Sequence, residues 1–462
     1  MNADLKNQKI LMMGIGGIGV SALARLYKDA GAAISGCDLH SSYQLKILET
    51  EGFRILSEHN VNVCDYELVI YTHAIPETHP ILIEARKQKI PVLERGAALA
   101  QKLCGDGTVA ITGSHGKTTL TFLTGTILAK AGRDPTVCGG GTDRVWDSNY
   151  RRGSGEFFVA EMDESEPTFL RARPKVTLIS NLDHEHVDEY PTKAHLIRTF
   201  SQFIGTLPSD STLVIYAEDR TLLDISLKFF RGERLIKCGL NGSWDYVLKE
   251  VHEDKNGLSL QITSSKGSLH CQSPLWGWHN ALNITLASAC AHACGLSNEE
   301  IKTAVPHFLG VKRRLEVLKE QNDGGRLYTD YAHHPTEIQT VLSTLRKHFP
   351  TQPLVSIFEA HRLTRLSTFL DGFSEILASS DFVILADVHR AEETGDAEAL
   401  LLKLSEKIGK EKCIRIKTSE LCAHLQARPT HEIQVILSAG NLDALIRKTW
   451  LCEDSMKVVE NE

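Results

Sequence analysis

Short apolar runs alternate with amphipathic stretches through the first hundred residues. Runs at 9–13, 33–37, 68–71 and 91–93 have strand length, while 21–30 and 44–52 repeat apolar residues at helical spacing. Strand and helix in alternation predict a small parallel α/β unit, with a linker expected within 99–107. The pattern restarts at Val109 with a strand, a glycine turn and a helix over 118–131. Strands follow at 157–160, 176–180 and 212–216, and alternation across 246–270 around Lys255-Asn-Gly257 predicts hairpins. A helix over 280–294 comes next, and a capping box, Ser297-Asn-Glu-Glu300, opens another. A third α/β run places strands at 326–330, 354–358, 382–386 and 435–438. Three α/β domains are expected, at 1–105, 106–311 and 312–462.

Composition narrows the options. A chain of 462 residues exceeds what one core serves, and 42% apolar with 24% charged residues is ordinary for a globular protein. The net charge of −7 argues against a nucleic-acid binder, so anionic ligands need local cationic clusters. No apolar run reaches the roughly 18 residues of a membrane span, and a polar start running into a strand does not read as a signal peptide. The 11 cysteines include no Cys-x-x-Cys pair. Cys290 and Cys294 lie on an Ala-rich helix, which fits buried thiols in a reducing cytoplasm.

Two glycine-rich turns carry the first candidate chemistry. Gly14-Ile-Gly-Gly-Ile-Gly19 follows a strand and opens a helix, and Asp38 closes the next strand; a pyrophosphate can then approach a helix N-terminus. Glycines alone do not separate NAD from a nucleotide sugar. In Val109-Ala-Ile-Thr-Gly-Ser-His-Gly-Lys-Thr-Thr-Leu120, the amides of 113–117 can wrap phosphate oxygens. Lys117 would reach the outer phosphates and Thr118 would offer a hydroxyl to Mg²⁺. Ile111 stands where the common phosphate loop has its first glycine, so this loop is a variant. Acids for magnesium are expected on neighbouring strand ends, as Glu161, Asp163 and Glu164, then Asp183, Glu185, His186 and Asp188. His279 offers a ring, and Asn280 and Asn283 offer amides, for a purine. Lys312-Arg313-Arg314 can clamp phosphates at a domain junction. His361, Arg362 and Arg365 can share a helix-start face as a carboxylate trap.

Together with Asp330-Tyr-Ala-His-His-Pro335, and in this order, these motifs resemble the Mur ligases of peptidoglycan synthesis. The likeness runs from about residue 9 to Ala439-Gly-Asn441. Within the family it points to the L-alanine-adding members, through the N-terminal glycine turn, Arg313-Arg314 and His361-Arg-Leu-Thr-Arg365. It implies Rossmann-like first and third domains around a P-loop ATPase-like parallel or mixed sheet. The implied activity is ATP-dependent amide ligation: ATP phosphorylates the lactyl carboxylate of UDP-N-acetylmuramate, and the amine of L-alanine attacks the acyl phosphate.

Residue by residue, the resemblance assigns Gly14, Gly16, Gly17, Gly19, Asp38, Thr72, Arg313 and His333 to the UDP-sugar. It assigns Gly113, Ser114, His115, Gly116, Lys117, Thr118, Thr119, His279, Asn280, Asn283, Arg314 and Asp330 to ATP. Tyr331, His361, Arg362 and Arg365 would hold the amino acid, and Thr118, Glu161 and His186 would hold Mg²⁺. The implied catalytic set is Lys117, Glu161, His186, Arg314 and His333. A cytoplasmic monomer or homodimer without nucleic acid or membrane insertion is expected. The rivals are a ligase that attaches a whole tripeptide to the same sugar nucleotide, and an NAD-dependent oxidoreductase using the Gly14 turn. The second leaves Lys117 and both acidic loops unexplained. The chain departs from the family pattern at Thr72-His73, at Arg95-Gly-Ala-Ala98 and at Glu359-Ala360.

Overall fold

The computed structural model describes residues 5–40, 42–184, 189–390 and 393–449. Strands β1 (Lys9–Met13), β2 (Ala33–Cys37), β3 (Arg54–Leu56), β4 (Leu68–Tyr71) and β5 (Val92–Glu94) form a parallel sheet in the order β3-β2-β1-β4-β5. Strand order reverses between β1 and β4, which opens a crevice at their carboxyl ends.

The second sheet comprises β6 (Cys104–Thr112), β7 (Thr136–Cys138), β8 (Tyr150–Arg151), β9 (Phe158–Glu161), β10 (Arg173–Ile179), β11 (Thr212–Tyr216), β12 (Arg234–Gly239), β13 (Tyr246–Asp254), β14 (Gly257–Ser264) and β15 (Gly267–Ser273). Their order is β15-β14-β13-β12-β11-β10-β6-β9-β7-β8, with β6 lying between β10 and β9 at a second reversal. The sheet is mixed: β14–β15 and β7–β8 pair antiparallel.

The third sheet holds β16 (Glu316–Glu320), β17 (Arg326–Asp330), β18 (Leu354–Glu359), β19 (Phe382–Leu385), β20 (Cys413–Arg415) and β21 (Ile433–Ser438), ordered β16-β17-β21-β18-β19-β20. It is parallel except for the edge strand β16. The α/β architecture with three sheets is therefore as expected.

The linker expected at 99–107 is not a linker. Helix Arg95–Lys102 passes through the buried Leu103 directly into β6, where Cys104 and Gly105 pair with Arg173 and Pro174. Gly105-Asp-Gly107 has loop composition, but pairing with β10 supplies hydrogen bonds that composition does not reveal. The boundary expected between 105 and 106 thus falls inside a strand.

The chain forms two compact units. The first is 1–252, 257–275 and 280–310; the second is 253–256, 276–279 and 311–462. In the first unit, one apolar cluster joins Leu23 and Leu26 of the N-terminal layer to Phe158, Phe169 and Phe200 of the central one. Buried polar contacts reinforce it. Arg25 Nη1 donates to Asn149 Oδ1 (2.6 Å), Asn149 Nδ2 to Ile18 O (2.6 Å), and Tyr150 OH to Asp29 Oδ2 (2.6 Å). Among the described residues no helix is long and apolar enough to cross a membrane.

Candidate active site

Ile111 accounts for the variant loop. It is fully buried inside β6, opposite Leu178 of β10 and Glu161 of β9. A glycine there would leave a cavity between two paired strands. The turn after it requires glycine at Gly113 (φ 115°) and Gly116 (φ 82°). A Cβ on Gly113 would also sit 2.9 Å from Ser180 N and Asn181 O.

The residues following β10 pin the loop. Ser114 N donates to Asn181 O (3.0 Å), His115 N to Asn181 Oδ1 (3.0 Å) and Ser180 Oγ to His115 O (2.6 Å). His115 Nε2 lies 3.0 Å from Asp183 Oδ2. Lys117 Nζ folds back over the loop, donating to Gly113 O (2.8 Å), Ser114 O (3.1 Å) and Glu164 Oε1 (2.9 Å).

Thr118, buried in the first turn of helix Lys117–Lys130, hydrogen-bonds through its side chain to Glu161. Glu161 Oε2 also accepts from Gly140 N (2.6 Å). Burial raises the Glu161 pKa, while Lys117, the Gly140 amide and Thr118 pull it down. Thr119 follows, half-buried. Asn283, on helix Trp278–Ala293, faces the loop: a Cβ on Gly116 would lie 3.3 Å from its Oδ1. Asn283 Nδ2 donates to Asn280 Oδ1 (3.2 Å). The structure thus gathers 113–119, Glu161, Asp183, Asn280 and Asn283 in one unit. Glu185, His186 and Asp188 lie outside the described residues.

The first glycine turn occupies the β1/β4 reversal. Gly16 N donates to Asp38 Oδ2 (2.9 Å), and Gly14 (φ 73°) lies so close to Thr72 that a Cβ would come within 2.6 Å of its Cγ2. Gly17 is the N-cap of helix Ile18–Asp29, which has no side-chain cap and no acid in its first turn. Its leading amides are therefore left to other partners.

In the second unit the candidates collect at the carboxyl ends of β17, β18 and β21. Asp330 Oδ2 accepts from Leu315 N (2.7 Å), Asp330 Oδ1 accepts from Ala332 N (2.8 Å), and Arg314 Nη1 is 3.9 Å away. The carboxylate thereby pins the Lys312-Arg-Arg314 turn, where Arg313 (φ 58°) and Leu315 (φ 44°) are held in the left-handed region. Arg313 Nη2 donates to Ser438 O (2.6 Å) and Gly440 O (2.9 Å), with its guanidinium 4.8 Å from the Tyr331 ring centre. Arg314 also lies 3.4 Å from Glu337. His333 stands edge-on to both Tyr331 and His361, and the His361 ring stacks on His389 at 5.1 Å.

Arg362 stands at the helix start, as the spacing suggested. It caps helix Leu363–Thr368 with φ 70°, while Arg365 is buried within that helix. The Glu393 carboxylate accepts from Thr364 N (3.0 Å) and fixes this start. Burial, reinforced by His333, Arg365, His389 and Arg362, depresses the His361 pKa to about 3. Burial and Arg314 bring His279, which clusters with this unit, to about 4. Sequence reasoning gave no role to Arg95, Glu166, Glu337, His389 or Glu393. Except for Glu337, which meets His333 four residues before it, their partners are distant in sequence or lie in irregular loops, so no spacing announces them.

Asp330 supplies a pH test. Burial raises its pKa to about 6 despite Arg314 and two amides, with Glu337 adding to the rise. An acid whose pKa is raised on folding contributes stability at low pH and loses it as pH climbs through the folded value. Urea stability of the protein is expected to fall between about pH 4 and 6, by on the order of 2–3 kcal/mol from this group. Asp330→Asn should flatten that slope; an unchanged slope in the variant assigns it elsewhere.

The sequence matches the model of the Mur ligase middle domain over 111–291, that of the Mur ligase family, catalytic domain, over 9–105, and that of the Mur ligase, glutamate ligase domain, over 313–442. The UDP-N-acetylmuramate–L-alanine ligase of Aquifex aeolicus (strain VF5) is 33% identical over 462 residues, spanning 98% of each chain. The chain belongs to the Mur ligase family. A second relative of this Mur ligase, the UDP-N-acetylmuramate–L-alanine ligase of Methylobacterium nodulans, is 34% identical over 449 residues and 94% of each chain. Among solved structures, the UDP-N-acetylmuramate–alanine ligase from Thermotoga maritima aligns with a TM-score of 0.82 at 25% identity, covering 97% of this chain and 100% of that one. A murein peptide ligase from Psychrobacter arcticus shares the fold, with a TM-score of 0.73 at 20% identity over 96% of this Mur ligase and 98% of that chain.

Proposed function

We propose that this Mur ligase joins L-alanine to the lactyl carboxylate of UDP-N-acetylmuramate with ATP as phosphoryl donor. The observation that carries the reading is a glycine-rich loop whose Thr118 contacts Glu161 at the end of β9 and whose Lys117 contacts Glu164 just after it, in a chain that aligns over 98% of its length with an L-alanine ligase. The γ-phosphoryl passes to the carboxylate, breaking the β–γ bond and giving an acyl phosphate and ADP. The amine of alanine, having shed its extra proton, attacks the acyl carbon. Phosphate leaves with the C–O electron pair, and an amide remains.

Little covalent work falls to the protein, so its residues position groups and neutralise charge. In this reading the amides of 113–117 cradle the ATP phosphates, and Lys117 moves from Glu164 to the outer ones. Asn280, Asn283 and His279 receive adenine; Arg314 and Asp330 serve the γ-phosphate and the ribose. Gly14, Gly16, Gly17, Gly19, Asp38, Thr72, Arg313 and His333 hold the UDP-sugar. Tyr331, His361, Arg362 and Arg365 frame the amino acid, whose carboxylate suits two guanidinium groups beside a neutral imidazole. The hydroxyl of Thr118 and the carboxylate of Glu161 are adjacent hard oxygen donors of the kind Mg²⁺ takes, and His186 would join them. Bound there, the ion would neutralise charge on the transferring phosphoryl group. A cytoplasmic setting belongs to the same proposal.

Phosphate release with UDP-N-acetylmuramate and ATP tests the reading. L-alanine is expected to outpace L-serine and glycine, and a tripeptide to release little; preference for the tripeptide would replace this function with the recycling one.

A further inference from the structure

Two cations border the glycine turns of the first unit, and one short loop holds both. Lys117 pairs with Glu164, and Arg95 pairs with Glu166. Arg95 follows β5 at the start of helix Arg95–Lys102, and its guanidinium lies against the first turn of helix Ile18–Asp29. A Cβ on Gly19 would sit 2.8 Å from Arg95 Nη1 and 3.1 Å from Cζ. The last glycine of the turn thus gives the guanidinium room to lie against the helix start, a neighbour that the sequence motif does not specify.

Arg95 Nε donates to Glu166 Oε1 (2.7 Å), Nη2 reaches the same oxygen, and Nη2 lies 3.7 Å from Asp163 Oδ2. Nη1, the nitrogen nearest Gly19, makes no hydrogen bond among the described residues. Gly96 abuts Glu166 and Thr168 so closely that any Cβ would collide with both. Glu166 is only 5% exposed, and burial raises its pKa against the pull of Arg95. One guanidinium is thus the main compensation for a buried carboxylate, a pairing that holds strongly only while both charges stay together. Beside the same turn, exposed His73 pairs with Glu94.

We propose that Arg95 is a ligand for the pyrophosphate of the UDP-sugar, and that Glu166 competes with the pyrophosphate for it. This rests on reading the Gly14–Gly19 turn as the UDP-sugar site. A pyrophosphate on the leading amides of helix Ile18–Asp29 meets the Nη1 edge of a planar fork suited to phosphate oxygens. A phosphate gripped by the Nη1–Nη2 edge draws Nη2 away from Glu166, while Nη1 adds a bond that no carboxylate holds. The loop that then loses its cation also carries Glu161 and Glu164, so sugar-nucleotide binding changes the charge around Lys117. The two nucleotide sites share one acidic loop.

Titration calorimetry of the full chain with UDP-N-acetylmuramate separates this from a clasp that merely fastens two layers. Glu166→Gln removes the competing charge while keeping the shape, and binding is expected to tighten about three- to ten-fold. Arg95→Gln is expected to weaken binding by about ten-fold or more, with Arg95→Lys recovering part. Thermal melting and binding of a non-hydrolysable ATP analogue check that each variant is folded. Should Glu166→Gln melt early, Glu166→Asp, which draws the carboxylate back from the guanidinium, is expected to tighten binding in the same sense. Weaker binding in both Arg95 and Glu166 variants, or an unchanged Kd in Arg95→Gln, overturns the proposal. A wild-type chain that binds no UDP-N-acetylmuramate overturns the proposed function, and this inference with it.

Discussion

Replacing Lys117 with alanine is expected to lower kcat by about 10³-fold or more while the Kd for UDP-N-acetylmuramate stays within about three-fold. The lysine already lies inside its loop, 2.8 Å from Gly113 O and 2.9 Å from Glu164 Oε1. It needs only to exchange one acidic partner for another when phosphates arrive. In the proposed reaction, charge on the transferring phosphoryl group would then be neutralised at short range by a cation with little solvent around it, where such contacts act most strongly. Loss of the lysine also takes a partner from Glu164, which is almost fully buried, so the variant's melting temperature should drop as well. Retained sugar-nucleotide binding is the discriminating half of the result. Loss of both functions together, in a variant that still melts cooperatively, would mean that the two glycine turns do not serve separate nucleotides.

The second large effect is expected at Glu161. Glu161→Gln should cut kcat by about 10²–10³-fold and shift the half-saturating Mg²⁺ concentration upward, with sugar-nucleotide binding preserved. The substitution removes a charge but keeps a shape that can still accept from Gly140 N and meet Thr118. Folding should therefore be spared, and excess Mg²⁺ should recover part of the rate. A variant with normal Mg²⁺ dependence would move the metal role to other acids on the same loop.

Much of this organisation could be read in the chain before any coordinates. Strands β1, β4 and β11 fall where apolar runs of strand length stand between turns, because strands buried on both faces tolerate little interruption. The turn after β6 was legible because Gly113 and Gly116 sit where the backbone turns left-handed, a requirement written into residue type. What stayed hidden has a common cause. Cys104 to Gly107 looks like a loop and is a strand because β10 lies beside it. Arg95 looks like any helix-start arginine until Glu166 is brought to it by the fold. Arg362 reads as a helix-start residue, but its φ of 70° and the bonds that His389 and Glu393, on a distant loop, make to Arg362 N and Leu363 N are not written in the spacing. Each of these depends on a neighbour far away in sequence, and no local pattern records such a neighbour.

The buried bonds from Arg25 and Asn149 reach beyond stability, to how the gene can be cut and recombined. A fragment ending near residue 105 would keep the glycine turn yet expose Arg25, Leu99 and Leu103 to water, and it would lose the amide that caps the Ile18 carbonyl. Such a piece is a poor independent module, whatever its own sheet suggests. Exchange between relatives should therefore succeed when residues 1–310 travel as one cassette and fail when only the first sheet is transplanted. The two nucleotide turns would be inherited together because they share a single buried seam.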